Sequence, residues 1–375
     1  MDEPRRFEFV GGSSAKFWEI SQSGAEVRVR FGRLGTNGQT QNKDLGSDDA
    51  AELHVDKLIK EKLAKGYVET TGAEPAAGRL DFSKGITRPP KLPPYEVPRL
   101  PDDGPAIVGG LLLPAGRRLE GDPEMAPPGI EMISSPVVWL TEAPVPDAGA
   151  MLYRLREPAA QMDLVPMLFV GMETEPLRPW ESKEFSPTDP RRTDHFDAGQ
   201  VLADMWRSSL SEEDEESLVP VKPFGIEFPG MAASPTLKPP SGFGRLFAKA
   251  TDPADDRPAL ASLTSRRIGL IAAKRPADAI TALGWMGGVN MHDDPTLISA
   301  VLRSWEDRWA ARVVEIGFDT LTLTVGNPPR DRESALAAAV EHFAVCPDNI
   351  WQGSGTLEAY AKDLRDSRIW MFWWD

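Results

Sequence analysis

The chain of 375 residues has one cysteine, Cys346, and only four histidines. A single thiol excludes an intrachain disulfide and fits a reducing compartment. One cysteine with four scattered histidines offers no zinc-type ligand spacing, so no metal and no cofactor are expected. Long hydrophobic runs are also missing. Stretches such as AIVGGLLLPAG fall short of the roughly 20 apolar residues that cross a bilayer. The opening, MDEPRRFEF, lacks the basic end and apolar run of a signal peptide. The expectation is a cytoplasmic protein without membrane contact. There is no internal repeat of solenoid length, no GxxxxGK[ST], no HExxH and no GxSxG.

Positive charge is the next shortage. The chain carries 42 Lys+Arg against 57 Asp+Glu, a net charge of -15, with a pI near 4.9. Such an acidic chain repels nucleic acid on average, so contact with DNA needs a local patch. Residues 1–72 hold 11 Lys+Arg and 12 Asp+Glu, which leaves 31 against 45 for the remainder. Only the first part can approach a polyanion.

That first part alternates in short segments. EVRVRF puts Val27, Val29 and Phe31 on one face and Arg28 and Arg30 on the other, the period of a half-buried strand. KFWEI places Trp18 and Ile20 together in the same way. Gly24 and Asn37-Gly38 are turn signals. SDDAAELHVDKLIKEKLAKG predicts a helix capped by Ser47, with acidic Asp48 and Asp49 in its first turn and Gly66 as its stop. Ala51, Val55, Leu58, Ile59 and Leu63 form its apolar stripe. A small antiparallel sheet with one helix is expected over 1–72.

Residues 75 to 105 hold eight prolines, so 73–105 is read as a stiff extended linker or a strap lying on a surface. Over 106–265 the runs AIVGGLLL, SSPVVWL, LVPMLFVG and VLADMWRSSL predict buried strands and a helix in a loop-rich region. SEEDEE, at 211 to 216, reads as a solvated acidic loop. Over 266–375 the pattern sharpens. Ile298, Val301, Leu302, Trp305 and Trp309 line one helix; Leu336, Ala339, Val340 and Phe343 a second; Leu357, Tyr360, Ala361 and Leu364 a third. ARVVEI and TLTLTV predict a hairpin, the second strand half-buried because Thr320, Thr322 and Thr324 alternate with leucine and valine. The end, IWMFWWD, has neither face polar and predicts a strand buried on both sides. Seven of the 11 tryptophans lie at or after Trp285, which predicts a Trp-rich core.

KFWEI (16 to 20), VRVRFGRLGTNGQTQ (27 to 41) and EKLAKGYVE (61 to 69) resemble the WGR domain, although Phe31 stands where the naming Trp does. WGR domains are best known in poly(ADP-ribose) polymerases, where they grip DNA ends beside a separate catalytic domain; no such catalytic domain is recognisable here. ITALGW, VLRSWEDRW, TLTLTVGNPP, AVEHFAVCPDNIWQ and IWMFWWD are similar to the domain-of-unknown-function 4253 family, which implies no established activity. SSPVVWL, LRPW and PFGIEFPG resemble segments that precede that domain, so 106–265 is expected to share one globular unit with 266–375. The pairing implies a bacterial protein. The expected architecture is α+β: a small WGR-like module, a Pro-rich linker and a larger α+β domain.

The WGR resemblance implies that Phe31, Gly32 and Arg33 meet DNA or a partner protein, with Tyr67 near a DNA end; Arg28 and Lys43 are candidate phosphate contacts, with a plain surface charge as the alternative for each. The aromatic would stack and Gly32 would let another backbone approach. Strict alternation instead sends Phe31 into the core, and a bulge at Gly32 would be needed to turn Arg33 outward. A second constellation is Glu341, His342, Cys346 and Asp348. His342 and Cys346 are four apart, a spacing that suits a thiol and its base. Pro347 breaks the helix there, and an inert buried cysteine is the plainer reading. Arg303 and Asp307 are spaced for a helical ion pair. The leading expectation is a non-enzymatic binding or adaptor protein that docks DNA or a protein through its first module. The alternatives are an enzyme centred on His342 and Cys346, or a partner-neutralising protein of the immunity type.

Overall fold

A computed structural model describes residues 4–11, 14–33, 39–64, 67–70, 93–126, 130–172, 174–210, 218–235, 255–288, 291–292 and 294–374. The chain divides into two compact units. The second runs from Arg88 to Asp375, except for Leu210–Val219 and Val289–Asp293.

The first unit is a five-stranded antiparallel sheet crossed by one helix. Its strands are β1 (Arg5–Gly11), β2 (Ser14–Ser23), β3 (Glu26–Arg33), β4 (Gln39–Asp44) and β5 (Val68–Thr70), in the order β4-β3-β2-β1-β5. Helix α1 (Asp48–Ala64) starts where the Ser47 hydroxyl accepts the Ala50 N–H at 3.3 Å. Gly24, at φ +61°, makes the tight β2–β3 turn. Phe7, Trp18, Ile20 and Val27 meet Ala51 and Ile59 in the core, with Val29, Phe31, Val55, Leu58 and Tyr67 packed around them. Leu63 departs from the expected stripe and is 47% exposed. The Asn37-Gly38 turn and the Gly66 stop lie outside the described residues.

The second unit is built on a mixed eight-stranded sheet. Its strands are β6 (Gly104–Val108), β7 (Leu111–Leu119), β8 (Val138–Thr141), β9 (Leu164–Phe169), β10 (Arg267–Ala272), β11 (Ala311–Ile316), β12 (Thr320–Val325) and β13 (Ile369–Trp373). Their order is β13-β12-β11-β9-β10-β8-β7-β6, with β9 and β11 parallel and the other neighbours antiparallel. Both 106–265 and 266–375 therefore contribute strands to one sheet. The helices are α2 (Ala148–Ala160), α3 (Ala198–Ser209), α4 (Arg257–Leu260), α5 (Ala279–Leu283), α6 (Pro295–Trp309), α7 (Arg332–Val345) and α8 (Leu357–Leu364). The described end of the proline-rich segment is a strap on this unit: Tyr95 donates to the Ala272 carbonyl at 3.3 Å, and the Asp102 carbonyl accepts from Trp139 at 3.1 Å.

Four local expectations need correction. AIVGGLLL is not one buried strand but the β6–β7 hairpin. Gly109 and Gly110, both at positive φ, form its two-residue turn, and Ile107 and Leu112 face outward as a cross-strand pair. The threonine face of β12 is buried, because Thr322 and Thr324 donate to Glu315 (3.2 Å) and Asp256 (2.6 Å) beneath covering chain. The terminal strand β13 is an edge strand with one covered face. Trp370, Phe372 and Trp374 are buried, whereas Met371 is 63% and Trp373 37% exposed. Arg303 does not pair with Asp307. It reaches Asp278 and Asp194, both at 2.5 Å, while Asp307 takes Arg275 at 2.7 Å.

The buried core has the expected character. Trp305, Trp309, His342, Trp370 and Phe372 form one aromatic cluster, and Trp285 meets Trp374 edge-on at 5.3 Å.

Candidate functional site

In the first unit, alternation along β2 sends Trp18 and Ile20 toward α1 and Phe17 and Glu19 to the opposite face. Arg6, Glu19 and Arg30 lie side by side across β1, β2 and β3. Arg6 donates to Glu19 at 2.6 Å and to Glu8 at 2.8 Å, and Arg30 donates two hydrogen bonds to Glu19 at 2.7 and 2.9 Å. Both guanidinium groups lie over the Phe17 ring, at 4.6 and 5.0 Å from its centroid, and leave it buried. Burial works to raise the Glu19 carboxyl, but the hydrogen bonds and charge of Arg30 and Arg6 outweigh it and hold the pKa below the usual value. At the β1–β5 edge Arg5 grips Glu69 with two bonds, at 2.7 and 2.9 Å.

This polar face carries Arg6, Arg28 and Arg30 beside Glu8, Glu19, Glu26 and Asp44, and Arg6 and Arg30 are already neutralised; Arg5, opposite Ile20 on the helix side, is neutralised by Glu69. Arg28 and Lys43 are exposed and have no carboxylate partner among the described residues. They do not share a face. Arg28 pairs with Ser21 and Asn42 on the polar side, whereas Lys43 pairs with Val27 on the helix side.

The residues of the named motif are dispersed. Phe31 is half-buried against the core under α1. The β2–β3 pairing runs through Gly32, opposite Phe17, to Arg33, opposite Lys16, without a register shift. The bulge that would redirect Arg33 is absent from this pairing; the Arg33 side chain lies outside the described residues. Tyr67 packs on the core with the Lys62 ammonium 4.9 Å above its ring. Arg30 was placed on the polar side of its strand by the sequence, but Arg6, Phe17 and Glu19, which build the polar face with it, escaped the sequence reading. The signal was present in the alternation of Phe17 and Glu19 with Trp18 and Ile20.

In the second unit, the four residues of the other constellation are near one another in sequence but serve separate contacts. Glu341 is fully buried. It takes two hydrogen bonds from Arg308, at 2.5 and 2.7 Å, one from Trp305 at 2.8 Å and one from the Ala232 N–H at 2.6 Å. Cys346 directs its thiol to the Trp373 carbonyl at 2.9 Å and toward the Asn349 side chain at 3.5 Å, not to an imidazole. Burial, then Asp348, pushes its pKa up, the opposite of an activated nucleophile. Asp348 accepts from Gln352 at 2.9 Å.

His342 is buried in the aromatic cluster. Asn349 donates to the Tyr360 hydroxyl at 2.9 Å, which leaves the hydroxyl proton for His342 Nδ1 at 3.1 Å. His342 is therefore neutral with its proton on Nε2, a nitrogen without a hydrogen-bond partner among Trp305, Trp370 and Phe372. Burial, helped by Arg308, holds its pKa at about 3.

Asn349 has a further role. Its amide donates to the Met371 carbonyl at 2.7 Å and accepts from the Trp373 N–H at 3.3 Å. With the Cys346 thiol it occupies the Met371 carbonyl and the Trp373 N–H and carbonyl on the free edge of β13, groups that an added strand would need. Among the described residues no group of three or more His, Cys, Asp or Glu side chains is placed to hold a metal, and no helix is long and apolar enough to cross a membrane.

Comparison with known proteins agrees with this two-unit layout. Over 65 residues, 17% of the chain, the protein is 42% identical to Protein YehF of Escherichia coli (strain K12) and 34% identical to Uncharacterized protein YfeS of the same strain. The chain spans about a quarter of the length of these curated relatives, 24% and 27%. A crystal structure of a Bacteroides fragilis protein is 49% identical over 18% of this chain and 20% of its own, with a TM-score of 0.18, too low to bear on the fold. Residues 4–74 match the WGR domain and residues 267–375 match the Domain of unknown function (DUF4253). The chain thus carries an N-terminal WGR domain and a C-terminal DUF4253 domain.

Proposed function

We propose that this is a cytoplasmic binding or adaptor protein whose WGR domain docks nucleic acid, DNA ends in particular. The match of residues 4–74 to the WGR domain carries the reading. The polar face of the sheet supports it, with Arg6, Arg30 and the exposed Arg28 on one side. Because Arg6 and Arg30 are held by Glu8 and Glu19, few cations are left to displace counterions. Affinity is then weak, and its logarithm falls with the logarithm of salt by a slope of about 2 to 3. In the second unit the Cys346 and His342 hydrogen bonds lead to different partners, which favours the binding reading over an enzyme centred on that pair.

Gel shifts of the full chain at several salt concentrations test the proposal. Arg28→Ala is expected to weaken binding to any duplex several-fold, and Arg33→Ala to weaken binding to ends more than to continuous duplex. Absence of binding at low salt would sink the nucleic-acid reading and leave a protein as the docked partner.

A further inference from the structure

One row of side chains crosses the polar face of the WGR sheet, and a carboxylate stands between two arginines in it. Register places Arg6 of β1 opposite Glu19 of β2, and Glu19 opposite Arg30 of β3. Glu19 takes one bond from Arg6, at 2.6 Å, and two from Arg30, at 2.7 and 2.9 Å. Both of its oxygens are engaged, and the side chain is 14% exposed. The next row sets where the guanidinium groups lie. There Phe17 faces Gly32, which brings no side chain against the ring, and Arg6 and Arg30 both lie over it. Glu8 also accepts from Arg6, at 2.8 Å.

Two arginines that converge on one anion form a place that a nucleic-acid phosphate fits. The planar fork of arginine binds carboxylate and phosphate in the same way, two N–H groups to two oxygens. Glu19 presents both oxygens to Arg30 and shares one of them with Arg6. A phosphodiester carries the same single charge, so its exchange for the carboxylate leaves the charge of the row unchanged. Burial works to raise the Glu19 pKa, yet the hydrogen bonds of Arg30 and then Arg6 hold it low. Protonation near neutral pH therefore does not release the pair, whereas a competing anion can.

We propose that Glu19 is an internal competitor for the Arg6–Arg30 pair, and that a backbone phosphate of nucleic acid engages the pair by displacing the carboxylate. This rests on the nucleic-acid reading of the WGR domain and adds to it where a phosphate sits and which contact limits its affinity. Arg28, exposed in the adjacent row opposite Ser21, extends the same side of the sheet.

Anisotropy titrations of the full chain with a fluorescent DNA duplex at fixed low salt test it. Glu19→Gln keeps the shape of the side chain and removes its charge. It should tighten binding about tenfold, the scale of one charge-assisted contact. Glu26→Gln removes an equal charge from the same face, at the start of β3 opposite Ser23 and Asp44. It should change affinity by less than about twofold, because an exposed charge is screened. Adding Arg30→Gln to Glu19→Gln should abolish the gain. Thermal melts check that each variant is folded, and Arg30→Lys, which keeps the charge and loses the fork, replaces Arg30→Gln if that change unfolds the domain. Parent binding without a gain in Glu19→Gln, an equal gain in Glu26→Gln, or a gain that survives loss of the Arg30 fork would overturn the proposal. Binding by Glu19→Gln with the parent inert would support it. No binding by any of these chains at low salt would instead sink the nucleic-acid reading itself.

Discussion

The two units each hold a glutamate by arginine beside an aromatic ring, with opposite consequences. In the WGR domain Glu19 bridges Arg6 and Arg30 above Phe17 on a face open to water, with 14% of its side chain exposed. In the second unit Glu341 is bound by Arg308, the Trp305 indole and the Ala232 N–H with none of its side chain exposed. The chemistry is nearly the same; the solvent differs. At Glu19 water replaces lost partners, so the arrangement tunes surface charge. At Glu341 nothing replaces them, so the carboxylate joins α6, α7 and the 232 segment into one core.

The strongest way to separate the units is deletion of residues 370–375. Trp370, Phe372 and Trp374 are buried, and each large apolar side chain contributes roughly 1.5–3 kcal/mol. The truncated chain is expected to lose the cooperative transition of the second unit while that of the WGR domain remains. Circular dichroism melts of both proteins decide this, and a soluble truncation with both transitions intact would refute it. Next in size is Glu341→Ala, which strands the Arg308 charge and should destabilise the second unit by about 3–5 kcal/mol in urea titrations.

A smaller effect is expected from pH. His342 has a folded pKa of about 3, below the unfolded value of roughly 6.5, so the unfolded state binds the extra proton between them. This contribution is fully present above about pH 6.5 and is lost as pH falls toward 3. By pH 5 the loss should reach about 2 kcal/mol. Urea midpoints of the second unit at pH 7 and 5 should draw together in His342→Asn; an unchanged gap would place the titration elsewhere. The smallest effect belongs to Glu19→Ala. It should lower WGR domain stability by only about 1 kcal/mol, and by freeing Arg6 and Arg30 it should steepen the salt dependence of DNA binding. A loss equal to that of Glu341→Ala would erase the distinction drawn between the two glutamates.

Much of the fold was legible because it is written in local periods. Alternation over Val27, Val29 and Phe31 marked β3, Ser47 marked the start of α1, and the stripe from Ile298 to Trp309 marked α6. The site was far less legible. Phe31-Gly32-Arg33 drew attention by resemblance, while the polar face depends on the register that aligns Arg6, Glu19 and Arg30 from three strands. The misread tail has the same origin. IWMFWWD carries apolar residues on both faces, and only the packing of helices on one side distinguishes Trp370 from Met371.

The sequence by itself determined the element types, the two-part layout, the lack of a disulfide and the aromatic character of the second core. These follow from composition and from spacings of two to four residues. Tertiary structure alone decided the partners of charge. Arg303 left Asp307, four residues away, for Asp194 at a separation of 109, and Glu341 reached Ala232 across the same separation. It also decided that Cys346 and Asn349 close the edge of β13. The physical reason is that a polar group takes whichever partner lies closest once water is excluded, and the chain does not bring that partner near until the sheet is assembled.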